Sequence, residues 1–389
     1  MNPSVLFVDH AGVLGGAELS LLDIARHYHD SSEVLLFSDG AFRERLEDAG
    51  VDVRVLPAPP QVGAVKRESG HLQGVLAIPG VLGLVYRLAK LARRYDVIYA
   101  NSQKAFVTCA LAGKLVGKPV IWHLRDILSE EHFSENHRKL VVWIANRMAD
   151  RVIANSHATA EAFRENGGRP EKVRVVHNGI DSEPFTDIDH GVVASLRQEI
   201  GIPDVPVVGV FSRLAHWKGQ HLLLESLPHL PGVHALLVGE VLFGEHEYAR
   251  ELHRRTKALG LEDRVHFLGF REDVPELMSL ADVVVHTSLA PEPFGRVIVE
   301  GMLAGTPVVA SRAGGAVELI EDGTSGRLTK PGDSENLTTV LSQLFADRHL
   351  MNDISCSGRE WALERFSLKA MIGQVEAQVR ATAELSGLS

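Results

Sequence analysis

The sequence predicts an α/β protein of two doubly wound domains, each a parallel sheet with helices on both faces. Three observations predict it. Short β-branched runs alternate with longer amphipathic stretches along the chain. The alternation pauses at a polar, turn-rich stretch and then starts again. The 389 residues are 45% hydrophobic and 23% charged, which suits two ordinary domains and excludes wholesale disorder.

In the first half, Ser4–Asp9, Val34–Phe37, Val97–Asn101, Val120–His123 and Arg151–Asn155 read as buried strands, each followed by a loop. Leu19–His27 and Val81–Arg94 read as covering helices. Residues 181–191 (DSEPFTDIDHG) are polar and turn-rich, as a connection between domains should be. They separate a domain over residues 1–180 from one over 181–367. The second series of strands is Val207–Phe211, His234–Val238, Val265–Leu268, Val283–Thr287 and Pro307–Ala310. After a turn near Phe366 and Ser367, Leu368–Leu385 reads as a helix with no later strand. It either packs back on the first domain or stays with the second. Ligands of open parallel sheets bind beyond the carboxyl ends of the strands. Two such domains facing each other would put a cleft between their loops.

Composition narrows the partners. Lys and Arg number 40 against 50 Asp and Glu, and the net charge of −10 argues against general affinity for nucleic acid. Cys109 and Cys356 are too few for a disulfide framework or a four-Cys zinc site, so a cytoplasmic location is expected. The first apolar run is cut by Asp9 and His10, so no secretory segment is expected. No run of about 18 apolar residues predicts a transmembrane helix, and any membrane contact is peripheral. Oligomeric state is not legible.

Three constellations follow strands. Gly12-Val13-Leu14-Gly15-Gly16-Ala17-Glu18 lies between the first strand and its helix. Glycine lets a ligand approach the backbone, and a helix N-terminus offers free N–H groups to phosphate. The spacing is neither G-x-G-x-x-G nor a Walker loop, and a tight turn that merely needs glycine serves equally. Ser212-Arg213-Leu214 with Lys218-Gly219 follows Val207–Phe211. Two cations at a strand end can clasp a diphosphate, or they are ordinary surface charge. Glu292-Pro293-Phe294-Gly295-Arg296-Val297-Ile298-Val299-Glu300 follows Val283–Thr287 and runs into a helix. Its free amides would face an anion, and its two carboxylates could accept sugar hydroxyls. The bland alternative is a solvated Glu292 and a Glu300 paired with a neighbouring helix.

Glu292-x7-Glu300 with EPFG, continuing through Gly301-Met302-Leu303-Ala304-Gly305-Thr306-Pro307, resembles the glycosyltransferase group 1 (family 4-like) signature. The resemblance continues in GGAE (15–18), HNGID (177–181), SRL…KG (212–219), FLGF (267–270), Gly314-Gly315 and EDGTSGRL (321–328), in the family's order. It covers nearly the whole chain. It implies a retaining, nucleotide-sugar-dependent transferase of the GT-B fold, related to glycogen synthase. By the same resemblance, Arg213 and Lys218 would bind the donor diphosphate, helped by the amides after Phe294 at Gly295, Arg296 and Val297. Glu300 would accept from the ribose, Glu292 would hold the transferred sugar, and Gly15 and Gly16 would approach phosphate or sugar. Phe270 and Arg271 would form the base-binding loop. His123 would lie near sugar and acceptor; its other reading is a satisfied strand-end histidine. Val241 and Arg296 depart from the family pattern, and Arg296 would add a cation near the phosphates.

The implied reaction is transfer of a hexose, first of all glucose from UDP-glucose, to a saccharide or lipid-linked acceptor in polysaccharide or glycolipid biosynthesis. No cofactor or metal is expected. The one D-x-D string, Asp187-Ile188-Asp189, reads as linker. A nucleotide-sugar epimerase of the same fold and a catalytically silent binding protein are the alternatives. On a helical wheel, Arg87, Lys90, Arg93 and Arg94 oppose Val81, Leu84, Leu88 and Leu91. This basic face is either solvated or a contact for anionic lipid.

Overall fold

The computed structural model describes residues 3–58, 71–242 and 244–385, and the chain divides into two compact units. One runs to Gly179 and takes in the segment from Leu368. The other is Ile180–Ser367.

The first unit begins β1 (Val5–Asp9), α1 (Gly16–His27), β2 (Ser32–Leu36), α2 (Ala41–Asp48), β3 (Val53–Val55) and α3 (His71–Ala92). It continues β4 (Val97–Ala100), α4 (Gln103–Val116), β5 (Val120–Leu124), α5 (Glu135–Met148), β6 (Arg151–Ala154), α6 (His157–Glu165) and β7 (Val173–Val175). The described strands form one parallel sheet in the order β3-β2-β1-β4-β5-β6-β7. β1, β4 and β5 are buried at every residue, which is why their sequences run apolar on both faces. Over one face, Phe106 of α4 stacks on Trp122 at 4.4 Å and 8°. Ser102 caps α4 through the amide of Ala105, and Gly117 in the left-handed conformation ends it. α3 starts well before Val81, although the side chains of residues 71–79 lie outside the description.

The second unit contains α7 (His190–Ile200), β8 (Val207–Phe211), α8 (Gln220–Ser226), β9 (His234–Val238), α9 (His246–Ala258), β10 (Val265–Gly269), α10 (Val274–Leu280) and β11 (Val283–His286). Then come α11 (Arg296–Leu303), β12 (Val308–Ser311), α12 (Ala316–Leu319), β13 (Arg327–Thr329), α13 (Ser334–Ala346) and α14 (Arg348–Arg365). Its sheet is again parallel, in the order β10-β9-β8-β11-β12-β13.

The last helix, α15 (Leu368–Leu385), belongs to the first unit. Met371, Val375, Val379 and Ala383 are buried in one cluster with Phe7, Tyr99 and Ile121 on the other face of that sheet. The polar connection is more structured than its composition predicts. Glu183–Phe185 forms a 3-10 turn whose Phe185 enters the second unit's core, and the Asp189 side chain caps α7 through the amide of Gly191.

Strand order places a topological switch point in each unit: between β1 and β4 in the first, between β8 and β11 in the second. Crossovers leave the sheet in opposite directions there, so the loops part and open a crevice at the carboxyl ends.

Candidate functional site

The second unit's switch point gathers the cations and the acid of two constellations. Beyond β8, a 3-10 turn at His216–Lys218 ends on Gly219 at φ +68. The loop is tied to the end of β11: the Thr287 hydroxyl donates to the Lys218 carbonyl at 2.8 Å, and the Leu289 amide donates to the Trp217 carbonyl at 2.7 Å. Trp217 brings the two cations together, with Lys218 Nζ 4.2 Å and Arg213 Cζ 5.7 Å from its ring centroid.

Lys218 Nζ donates to both carboxylate oxygens of Glu292 at 2.7 Å. The Ser288 hydroxyl donates to Glu292 Oε2 at 3.0 Å, and His286 Nε2 contacts the same oxygen. Burial alone would push this carboxyl up, but the charges of Lys218 and His286 outweigh it and hold it well below the usual range. The Glu292 backbone is fixed as well: its carbonyl accepts from the Gly315 amide at 2.7 Å, and Gly314 at φ +59 leaves no space for a β-carbon against it. A small pocket opens here, lined in part by Ser212, Lys218, His286, Ser288 and Val297.

The remaining predicted residues take different positions. Gly295 at φ +94 opens α11. The Phe294 side chain is only 2% exposed and packs edge-on against Phe366, so its ring belongs to the core and only the backbone around it is left to face a donor. A large apolar ring gains more from the core than from a polar loop. Arg296 Nε donates to Glu300 Oε1 at 3.2 Å, one helical turn on. Arg271 is held by Asp273 at 2.5 and 2.7 Å and reaches Glu199 at 3.5 Å, while Phe270 stands 61% exposed beside it.

The first unit has its own polar group at the β1–β4 switch point. Gly15 caps α1, and a β-carbon there would stand 2.7 Å from Glu18 Oε2, so the glycine makes room for a buried carboxyl. Burial first, then the charge of Asp9, pushes Glu18 up to about 7. Gly16 is exposed at the start of the helix. Asn101 Nδ2 donates to buried Asp9 at 2.5 Å, and Arg125 Nε donates to Asn101 Oδ1 at 3.0 Å. Arg125 Nη1 reaches Ser20 at 2.9 Å and Asn178 at 2.7 Å. His123 is completely buried on β5, and its Nδ1 meets the Tyr99 hydroxyl. Burial, then the charge of Arg125, holds its ring well below the usual imidazole value.

Sequence reasoning passed over His286 and Ser288 around Glu292, and Asp9, Asn101 and Arg125 in the first unit. One signal could have found them. Each is a polar residue where an apolar strand runs out, in VVVHTS, FVDH, IYANS and IWHLRD.

The model for glycosyl transferases group 1 matches residues 193–361, and that for a glycosyl transferase 4-like domain matches 15–179. The crystal structure of Anabaena HepE with UDP and glucose is 45% identical, covers 97% of this chain and all of its own, and superposes at a TM-score of 0.90. HepE with UDP-glucose gives 44% and 0.90 over the same shares. The lipopolysaccharide core biosynthesis glycosyltransferase LpsE of Rhizobium meliloti is 34% identical over 58% of this chain. A GDP-mannose-dependent phosphatidylinositol monomannoside mannosyltransferase of Mycolicibacterium smegmatis is 32% identical over 56%. The matches span 62% and 59% of those two relatives.

Proposed function

The chain belongs to the group 1 glycosyltransferases, and on that premise we propose that it is a retaining transferase that moves a hexose from a nucleotide sugar to a saccharide or lipid-linked acceptor. The observation that carries this reading is the Lys218–Glu292 pair at the β8–β11 switch point, with Arg213 on the same tryptophan. UDP-glucose stands first among donors because the HepE structures at 44–45% identity hold UDP, glucose or UDP-glucose.

In this reading Arg213 and Lys218 offset the charge that develops on the departing diphosphate, and the amides opening α11 add their N–H dipoles. The departing phosphate takes the acceptor's proton on the face it leaves, which retains configuration. Glu292 holds a sugar hydroxyl, exchanging part of its present hold on Lys218, His286 and Ser288 for it. The two cations make a divalent ion unnecessary.

The test is transfer from a panel of UDP- and GDP-sugars, with and without EDTA, by the native protein and Lys218→Ala. We expect turnover with a UDP-hexose, unchanged by EDTA and lowered on the order of 10²–10³-fold by Lys218→Ala. That variant also takes from the largely buried Glu292 the cation that meets both its oxygens, leaving it His286 and Ser288, so its melting temperature should fall too. Near-native transfer by folded Lys218→Ala would sink the assignment, and interconversion of the donor sugar would favour an epimerase.

The same reading includes peripheral contact with anionic lipid. Helices α3, α4 and α5 lie side by side, and α3 and α4 contain no Asp or Glu. Leu82, Tyr86, Leu115, Leu140 and Trp143 are at least half exposed on them, among exposed Arg87, Lys90, Arg93, Arg94 and Lys114. Cations beside exposed aromatic and aliphatic side chains suit a headgroup layer. At low salt the protein should sediment with phosphatidylglycerol vesicles and not with phosphatidylcholine, and Arg87→Glu/Lys90→Glu/Arg93→Glu should weaken this about tenfold or more. Absence of native binding rejects the contact.

A further inference from the structure

We infer that Tyr99 is a positioning residue that holds His123 as the Nε2–H tautomer, so that the ring presents one hydrogen-bond donor and no acceptor. The two residues sit on neighbouring strands, β4 and β5, whose register pairs Tyr99 with Ile121 and therefore puts Tyr99 and His123 on the same face. Both are 0% exposed. Their rings meet edge-on at 5.7 Å and 75°, and the hydroxyl contacts Nδ1.

Proton accounting decides between the tautomers. Among the described residues the Tyr99 hydroxyl has His123 Nδ1 as its hydrogen-bond partner, and His123 Nε2 has none. If Nδ1–H donated to the phenol oxygen, the hydroxyl proton and the Nε2 lone pair would both be buried without a partner. If the hydroxyl donates to Nδ1, only the Nε2–H is left over. Each orphaned buried group costs free energy, so the second arrangement wins. A doubly protonated ring is opposed by burial and by the charge of Arg125. Tyr99 remains a donor, since burial raises its hydroxyl above the usual phenol value.

The leftover Nε2–H is the functional consequence. A buried donor with no protein partner calls for an oxygen that the protein does not supply, and on the proposed function that is a sugar oxygen. His123 would then select for an acceptor atom at that point of the sugar. Tyr99 would touch no ligand and act only through the ring.

The experiment is long-range ¹H–¹⁵N NMR on full-length protein carrying ¹⁵N-histidine, with the His123 signals assigned by difference from His123→Gln. The native protein should show a protonated Nε2 and a bare Nδ1 at neutral pH. A protonated Nδ1, or a cationic ring, overturns the inference whatever the activity. Tyr99→Phe keeps the ring that packs on Phe7 at 5.1 Å and removes only the hydroxyl. In that variant His123 should lose its single tautomer, with kcat falling on the order of tenfold and donor KM little changed. An unchanged His123 spectrum and unchanged kcat in Tyr99→Phe would also overturn it. If Tyr99→Phe fails to fold, the native spectrum still decides. The expected tautomer without transfer from any donor would sink the functional reading and leave the tautomer assignment standing.

Discussion

Gly219 shows how much one residue can constrain a site. It sits at φ +68, and a β-carbon there would stand 2.2 Å from the Thr287 carbonyl oxygen. Gly219→Ala therefore meets both a strained backbone and a rigid neighbour, and should destabilise the protein by roughly 1–3 kcal/mol. Urea unfolding checks this, and a variant within about 0.5 kcal/mol of native would contradict it. That Lys218-Gly219 follows a strand is legible in the sequence. That Lys218 closes on Glu292, 74 positions away, is not, because the contact depends on how β8 and β11 come to be neighbours. Glu300 is a different case. The sequence offered it a partner on a neighbouring helix, whereas the structure pairs it with Arg296, one turn back on its own helix.

At the scale of elements, the longest apolar strands are the most legible. β1, β8 and β9 are within a residue of where the sequence puts them, since each is five residues buried throughout. β3, β7 and β13 were not anticipated. Each is three residues long at a sheet edge, and β3 and β7 share the sequence VRV. So short an edge strand carries too little periodicity to be told from loop, and is defined by the neighbour it pairs with. α3 shows a buried stripe of Leu84, Leu88 and Leu91 opposite exposed Arg87 and Lys90, as the helical wheel requires; Val81 is half-buried, and exposed Arg93 and Arg94 lie just past the end of the helix. Leu82 and Tyr86 add exposed apolar surface that the wheel did not single out.

For the whole molecule, pH is the informative variable. Burial holds His123, His221, His234 and His266 below the usual imidazole value of 6.5. A histidine with a lowered folded pKa contributes stability above its unfolded pKa and loses it as pH falls toward the folded value. Glu18 works against them. Its raised pKa of about 7 contributes stability that is complete below 4.5 and lost as pH rises through 7. Four groups against one means that the melting temperature should fall between pH 7 and 5. Glu18→Gln removes the opposing contribution, so its melting temperature relative to native should rise steadily from pH 5.5 to 8. Calorimetry across that range tests both, and a flat native-to-variant difference would refute the role given to Glu18.

The sequence by itself determined the two parallel-sheet units, the polar connection, and the motifs that mark the family, because periodicity and strand-end residues are local properties. It also determined that the last helix must bury one face, since Met371, Ile372, Val375 and Val379 recur at helical spacing. Only the tertiary structure decided that this face lies on the first sheet beside Phe7 and Tyr99. It alone paired Lys218 with Glu292, and Tyr99 with His123. Such partners are set by strand order and register. Those depend on which apolar surfaces bury each other across the fold, and no short window of sequence contains that information.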